Sequence, residues 1–406
     1  MIHVIGGGTV NYIRNHFAVS APAYGETARQ LAALIPGSVL HLTRMANPSS
    51  RIETNDDLAA LIDTLVADPA TRAIVMNAAV ADWSPVQLLQ GETELPSEWG
   101  KYAPRLKTEA RGLTLELEPS TKILSRIRKE RKDIFLVGTK ATTGASPQQQ
   151  YIAALKLLKS NSANLVLSND TVTKRNIVVT PEEAWYGDGS RADALDWLVK
   201  ILLSRSTNTF TRSTVLDGPR VPWQDPEVPA ALRAVVDHLV DAGSYKPFRG
   251  KTAGHFAVKV GEDTFLTSAR KTDYNTDLYD NGLIKVVSSG PDSVTAYGAR
   301  PSVGGQSQRI IFREHPGFDC IAHAHVPLLV PGTVNTVPQW PRECGSHQCG
   351  AATSAGLREV APGIKAVYLE NHGPNVVFRR DVDPAHVISY MQDHFALSEK
   401  TGGLVA

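Results

Sequence analysis

Over roughly its first 200 residues the chain alternates short apolar runs with amphipathic stretches, and this switching of period restricts it to an α/β fold around a mostly parallel sheet. Strands are expected at residues 2–5, 38–42, 73–76, 114–117, 134–137 and 165–167. Helices are expected between them at 23–34, 57–67, 121–131 behind a Ser120 cap, and 148–159 after Ser146-Pro147, with a last one at 192–203.

At 406 residues the chain exceeds what one core usually supports, so a second domain is expected. Residues 204–229 are rich in Ser, Thr, Pro and Asn without sustained periodicity, and 206–227 reads as a linker between domains 1–205 and 228–406. Beyond it come a helical pattern at 230–242 and alternating segments at 255–260, 264–267 and 283–287, which point to an antiparallel sheet. Helices are expected at 306–314 and 351–360.

A formal net charge of +1 gives no electrostatic reason for nucleic acid or a membrane as partner; small-molecule substrates are expected. No apolar run reaches bilayer length and no charged-then-apolar leader opens the chain, so cytoplasmic residence is the expectation. Three cysteines, Cys320, Cys344 and Cys349, are too few and too clustered for a disulfide framework. Cys344 and Cys349 flank His347, which makes a second metal site conceivable beside the commoner reading of small apolar packing.

The first expected strand runs into Gly6-Gly7-Gly8-Thr9, which suits either an ordinary tight turn or a loop whose amides approach phosphate. The dinucleotide spacing is missing, as is an acidic residue after the second strand to bind a ribose, which argues against an NAD-dependent dehydrogenase. Downstream, in order, come Tyr12-Ile13-Arg14-Asn15-His16, Asn77-Ala78-Ala79-Val80-Ala81-Asp82-Trp83, and Lys159 through Ser168-Asn169-Asp170. This ordered set resembles the phosphopantothenate-cysteine ligase family over about residues 1–205. The resemblance implies a Rossmann-like domain that activates a carboxylate with CTP and Mg as an acyl-cytidylate for attack by an amine, and that dimerises. It places Asn15 at the activated acyl group and Lys107 in the family's catalytic lysine motif, with Gly6, Gly7, Gly8, Thr9, Ala79, Asp82, Lys140, Lys159, Asn169 and Asp170 around the nucleotide. Lysines and oriented amides at those places suit the negative charge that gathers on phosphorus. The alternative for each lysine is a solvated surface position, and for Asn15 a turn. Phe17 through Gly25 replaces the family's Ser-Ser-Gly-Lys-like run, so the acyl substrate is expected to differ.

In the second half, His323-Ala324-His325 ends an apolar run, and on a strand residues two apart face the same way, so both imidazoles can approach one ion. His372, in Glu370-Asn371-His372-Gly373, follows another apolar strand and supplies a third ligand. With Pro301-Ser302 upstream, this pattern resembles the class II aldolase/adducin family over about residues 228–395. The resemblance implies an α/β/α domain with an antiparallel sheet, a three-histidine divalent-metal site, zinc by preference, and a tetramer. It also implies that the metal polarises a carbonyl so that an enediolate forms as a carbon–carbon bond breaks. The family's acid/base glutamate is replaced here by Gly304, so Glu343 is the expected substitute, with His347 and Glu370 as alternatives. Ser302, Arg270 and Lys271 are candidates for a substrate anion.

Together these features describe a bifunctional biosynthetic enzyme, ligase plus metal-dependent lyase or isomerase. The alternative is that one domain is catalytic and the other a degenerate binding or oligomerisation module.

Overall fold

The structure is a computed structural model that describes residues 1–91, 93–96, 98–106, 112–290, 292–302 and 305–401; Lys107 and Gly304 fall outside them. It is a mixed α/β chain of two compact units, the first comprising Met1–Ala145, Ala153–Val179 and Tyr186–Ser206, the second Ser146–Ile152, Thr180–Trp185 and Thr207–Ala406.

The first unit is built on a seven-stranded sheet in the order Trp185–Gly189, Asn176–Val179, Leu165–Asp170, Phe135–Thr142, Ala73–Ala79, Ile2–Gly8, Val39–Leu42. The last five are mutually parallel, and Asn176–Val179 runs antiparallel to its neighbour. In chain order the parallel strands lie 2-1-3-4-5, so the connections reverse between Ile2–Gly8 and Ala73–Ala79, and the carboxyl ends of those two strands border the crevice where such sheets bind ligands. Val4, Ile5, Ile74, Leu136, Val137 and Val166 are wholly buried, as strands covered on both faces require. The helix Asn55–Ala67 starts at a Thr54/Asp57 capping box and buries Leu58, Ile62, Leu65 and Val66, one stripe at helical spacing.

Residues 114–117, expected in the parallel sheet, instead lie in Leu113–Pro119, which pairs antiparallel with Trp83–Gln90 in a separate three-stranded sheet. Most of that strand is exposed, so no buried face marks its partner in the sequence.

The second unit holds a ten-stranded, mainly antiparallel sheet whose central order is Leu283–Ser288, Thr264–Ser268, His255–Lys259, Cys320–His323, Gly373–Phe378, Ile364–Leu369. Alternation assigns each strand to two cores. Phe256, Val258, Cys320, Ala322, Val376 and Phe378 pack with Leu232, Val235 and Leu239 of the helix Ala230–Asp241 and with Val387 and Met391 of Pro384–His394. Ala257, Ile321, Val367 and Val377 pack with Ile311 and Phe312 of Gly305–Glu314. Each fully buried large side chain contributes about 1.5–3 kcal/mol.

Two expectations need correction here. The stretch read as a linker contains the strand Arg212–Leu216, parallel to Ser293–Tyr297 at the sheet edge, and the buried Trp223, whose Nε1–H donates to Asp237 at 3.0 Å. All five strand residues are exposed, so no alternation betrays them. The helix expected at 351–360 is His347–Gly356, begun by the Ser346 cap, and Arg358–Ala361 is a strand.

Candidate functional sites

In the second unit, the carboxyl end of Cys320–His323 and the turn between Ile364–Leu369 and Gly373–Phe378 bring His323, His325 and His372 together. One ring nitrogen from each lies within 4.8 Å of the others, and the residues are 1%, 9% and 2% exposed. The strand ends at His323, so the pair converges through the loop at Ala324 and not through strand alternation alone. Gly373 makes the turn possible: at φ +142° any Cβ would stand 2.1 Å from the Ala324 carbonyl.

His323 Nδ1 lies 2.7 Å from the Pro374 carbonyl, an arrangement in which Nδ1–H donates and the Nε2 lone pair is free to face His372 Nε2 at 3.3 Å. Burial pushes the His323 pKa down to about 4 against the opposing pull of the Pro374 hydrogen bond, so the imidazole is neutral near pH 7, the form that ligates. Two nitrogens bound at 2.0–2.1 Å to a tetrahedral ion stand about 3.3–3.4 Å apart, and the observed separation fits. A carbonyl held on the far ring nitrogen is also how ligating histidines are normally oriented. Among the described residues no Asp, Glu or Cys joins the three at this spacing, and the Cys344–His347–Cys349 stretch forms no such group.

His255 is a fourth histidine beside the three, and it was not among the expected ligands. Strand register sets it opposite His323 with ring centroids 4.7 Å apart, and Gln308 meets its Nδ1 at 2.7 Å. Burial, then the adjacent His323 and His325, hold its pKa well below the ordinary value. The pairing of strands distant in sequence is what places it against His323.

The anion candidates reach the same end of the sheet. Ser302 donates its amide to the Ser268 carbonyl, Arg270 donates to the Arg300 carbonyl at 2.9 Å, and Ala269 bridges Pro301. Lys271 is exposed at φ +67°. Glu343 is half-buried in a loop whose amide bonds Asn208 at 2.7 Å, and it is not among the groups gathered with the histidines. His347 meets Thr211 at 3.0 Å and Asp292 at 3.5 Å, and Glu370 is exposed.

In the first unit, the glycine run is closely packed at the end of its strand. Space above Gly6 is filled by Ala28, a Cβ on Gly7 would meet Thr43 and Ala46, and one on Gly8 would meet Ala21. The Gly8 and Thr9 amides are already committed to the Ala23 and Ala79 carbonyls. Thr9, fully buried, receives the Ala81 amide and donates to Asn55, so it braces the strand-end loop at the sheet's reversal point. These glycines serve close packing there.

Asn15 stands exposed at the tip of the Val10–Arg14/Phe17–Ser20 hairpin, beside Arg14, which is buried and bonds the Pro96 and Glu98 carbonyls. Asp82 is exposed and paired with Lys122 at 2.7 Å. Asp170 is 2% exposed and accepts from Thr142 and from the amides of Gly144, Ala145, Val172 and Thr173. Burial opposes its ionisation, but those hydrogen bonds prevail and hold it far below the usual carboxylate range, so Asp170 organises the loop after its strand. Lys140 is half-buried near the carboxyl end of Phe135–Thr142, beside Ser168, and Asn169 is half-buried one step on. Lys159 lies in the last turn of Pro147–Asn161, which leads into the amino end of Leu165–Asp170; topology thus separates it from Lys140 and Asn169. A further cluster joins Tyr12, Arg44 and Lys101 on Glu53, with Lys101 at 2.8 Å.

Residues 26–185 match the model of the DNA/pantothenate metabolism flavoprotein C-terminal domain. The coenzyme A biosynthesis bifunctional protein CoaBC of Thermococcus kodakarensis is 28% identical over 118 residues, which are 29% of this chain and 26% of that protein. The chain therefore spans about a quarter of that curated relative. Among solved structures, the DNA/pantothenate metabolism flavoprotein of Streptococcus pneumoniae is similar at 20% identity and a TM-score of 0.43, covering 50% of this chain and 98% of that one. An L-fuculose 1-phosphate aldolase is similar at 14% identity and a TM-score of 0.30, covering 40% and 81%. No helix among the described residues is long and apolar enough to cross a membrane.

Proposed function

We propose that the chain is a bifunctional enzyme: the second unit performs divalent-metal-dependent lyase or isomerase chemistry of the class II aldolase type, and the first activates a carboxylate with CTP for amide formation. The observation that carries the first part is the convergence in a buried setting of His323, His325 and His372, of which His323 is held neutral by burial. A bound divalent ion, zinc by preference, supplies a Lewis acid that stabilises negative charge on a substrate oxygen. His323, oriented by Pro374, His325 and His372 would hold it, while Ser302 and Arg270, at the same sheet end, would bind an anionic group of the substrate. The proton carrier belongs to Glu343 in this reading.

For the first unit, support comes from the family match over 26–185 and from Lys140 and Asn169 at the carboxyl edge of the sheet, where a lysine can meet the triphosphate and its Mg ion. Lys107 belongs to the same proposal. CoaBC carries out coenzyme A biosynthesis by name; the acyl substrate of this chain is left open by its own Phe17–Gly25 segment. A cytoplasmic homo-oligomer acting on small molecules completes the proposal. One observation favours the second reading, in which the aldolase-like unit is a binding module: Gly304 stands where the acid/base glutamate is expected.

Elemental analysis of the purified chain should find about one transition metal per subunit, lost in a His323→Ala, His325→Ala double variant. Retention of metal in that variant would overturn the centre. Thermal-shift screening should show stabilisation by CTP over ATP and NAD, by about 2.7 kcal/mol at a hundredfold excess over Kd. Equal response to all three would remove the ligase reading.

A further inference from the structure

Two of the three candidate ligands lie outside strands, and one residue near the carboxyl end of the chain ties both in place. Thr401 donates its backbone N–H to the His325 carbonyl and its hydroxyl to the His372 carbonyl, each at 3.0 Å. It is 5% exposed. The segment leading to it is docked along the same loops: the Ala396 amide bonds the Pro327 carbonyl, the Leu329 amide bonds the His394 carbonyl, and Phe395 bridges Leu328. Lys400, 4% exposed, pairs with Glu183 of the same compact unit at 2.5 Å, so the segment is also anchored at the residue directly before the threonine.

We propose that Thr401 is a positioning residue of the histidine centre, fixing the backbones of His325 and His372 relative to each other so that the carboxyl-terminal segment belongs to the metal-binding apparatus. The inference rests on the metal reading above. Its physical basis is the short tolerance of a coordination bond, about 0.2 Å in ligand distance, against the freedom of two loops that no strand pairing restrains at His325 and His372. His323 needs no such tie, because its strand and the Pro374 carbonyl already set it. Outer partners that orient ligands typically change metal affinity 10–100-fold when removed.

The test uses the full chain stripped of metal and titrated with zinc against a competing chelator, then with cobalt(II) to read the ligand-field spectrum. Measurements are made well below the melting temperature of each metal-free variant, so that a loss of fold does not register as a loss of affinity. Thr401→Val keeps the shape and the amide but removes the hydroxyl; its zinc affinity should fall roughly 10-fold or more, with an altered cobalt spectrum. Thr401→Ser, which restores the hydroxyl, should return both to those of the parent chain. Val-variant affinity and spectrum equal to the parent's would overturn the inference. A Ser variant as weak as the Val variant would overturn the role of the hydroxyl. Failure of the parent chain itself to bind zinc or cobalt would instead overturn the metal reading, a distinct result.

Discussion

At the residue scale, chemistry alone separates side chains that hold the fold from those open to a ligand. Asp170 spends its carboxylate on Thr142 and four amides, and its depressed pKa makes it a source of stability with a defined pH window. Because its folded pKa lies below the unfolded value of about 3.9, the contribution is complete above that value and is lost as pH falls through the folded one. Asp170→Asn puts an NH2 group against amide donors and should lower the melting temperature at pH 7. The gap to the parent should narrow as pH drops below about 4, and an unchanged gap there would refute the assignment. His323 and Asp170 illustrate what was readable: the His-x-His and Asn-Asp motifs stand out in the sequence. Beside the histidines, Thr401 belongs to no motif and emerges only from chain closure, and strand register is what sets His255 against His323.

At the element scale, the turn that carries His372 is decided by one backbone conformation. Gly373→Ala would place a methyl group 2.1 Å from the Ala324 carbonyl at a φ that L residues avoid, which costs about 1–3 kcal/mol. Denaturant unfolding should show that loss together with weakened metal binding, since the turn must move away from the loop that bears His325. The helix Asn55–Ala67 was legible because a capping box and an apolar stripe occur within 13 residues. The strand Arg212–Leu216 was not, and at Leu113–Pro119 the strand was legible but its sheet was not, because exposed strands show no buried face and their partners are distant in sequence.

At the scale of the whole molecule, the proposal assigns the metal and the nucleotide to different units, which should then respond separately. Chelation should lower the melting temperature of the parent chain but leave the His323→Ala, His325→Ala variant unchanged, whereas CTP should stabilise both to the same extent. A chelator effect of equal size on the variant would show that its metal lies elsewhere. By itself the sequence determined the α/β class, the change of sheet type between the two parts, and the three histidines, because period, glycine placement and residue chemistry are local properties. Tertiary structure decided that the glycine run packs against Ala28, Thr43 and Ala21, that Lys159 lies at the wrong end of its helix to join Lys140, and that His255 and Thr401 flank the histidine centre. Each of these depends on which distant backbone fills the neighbouring space, and pairing between segments tens to hundreds of residues apart leaves no periodic trace in either one.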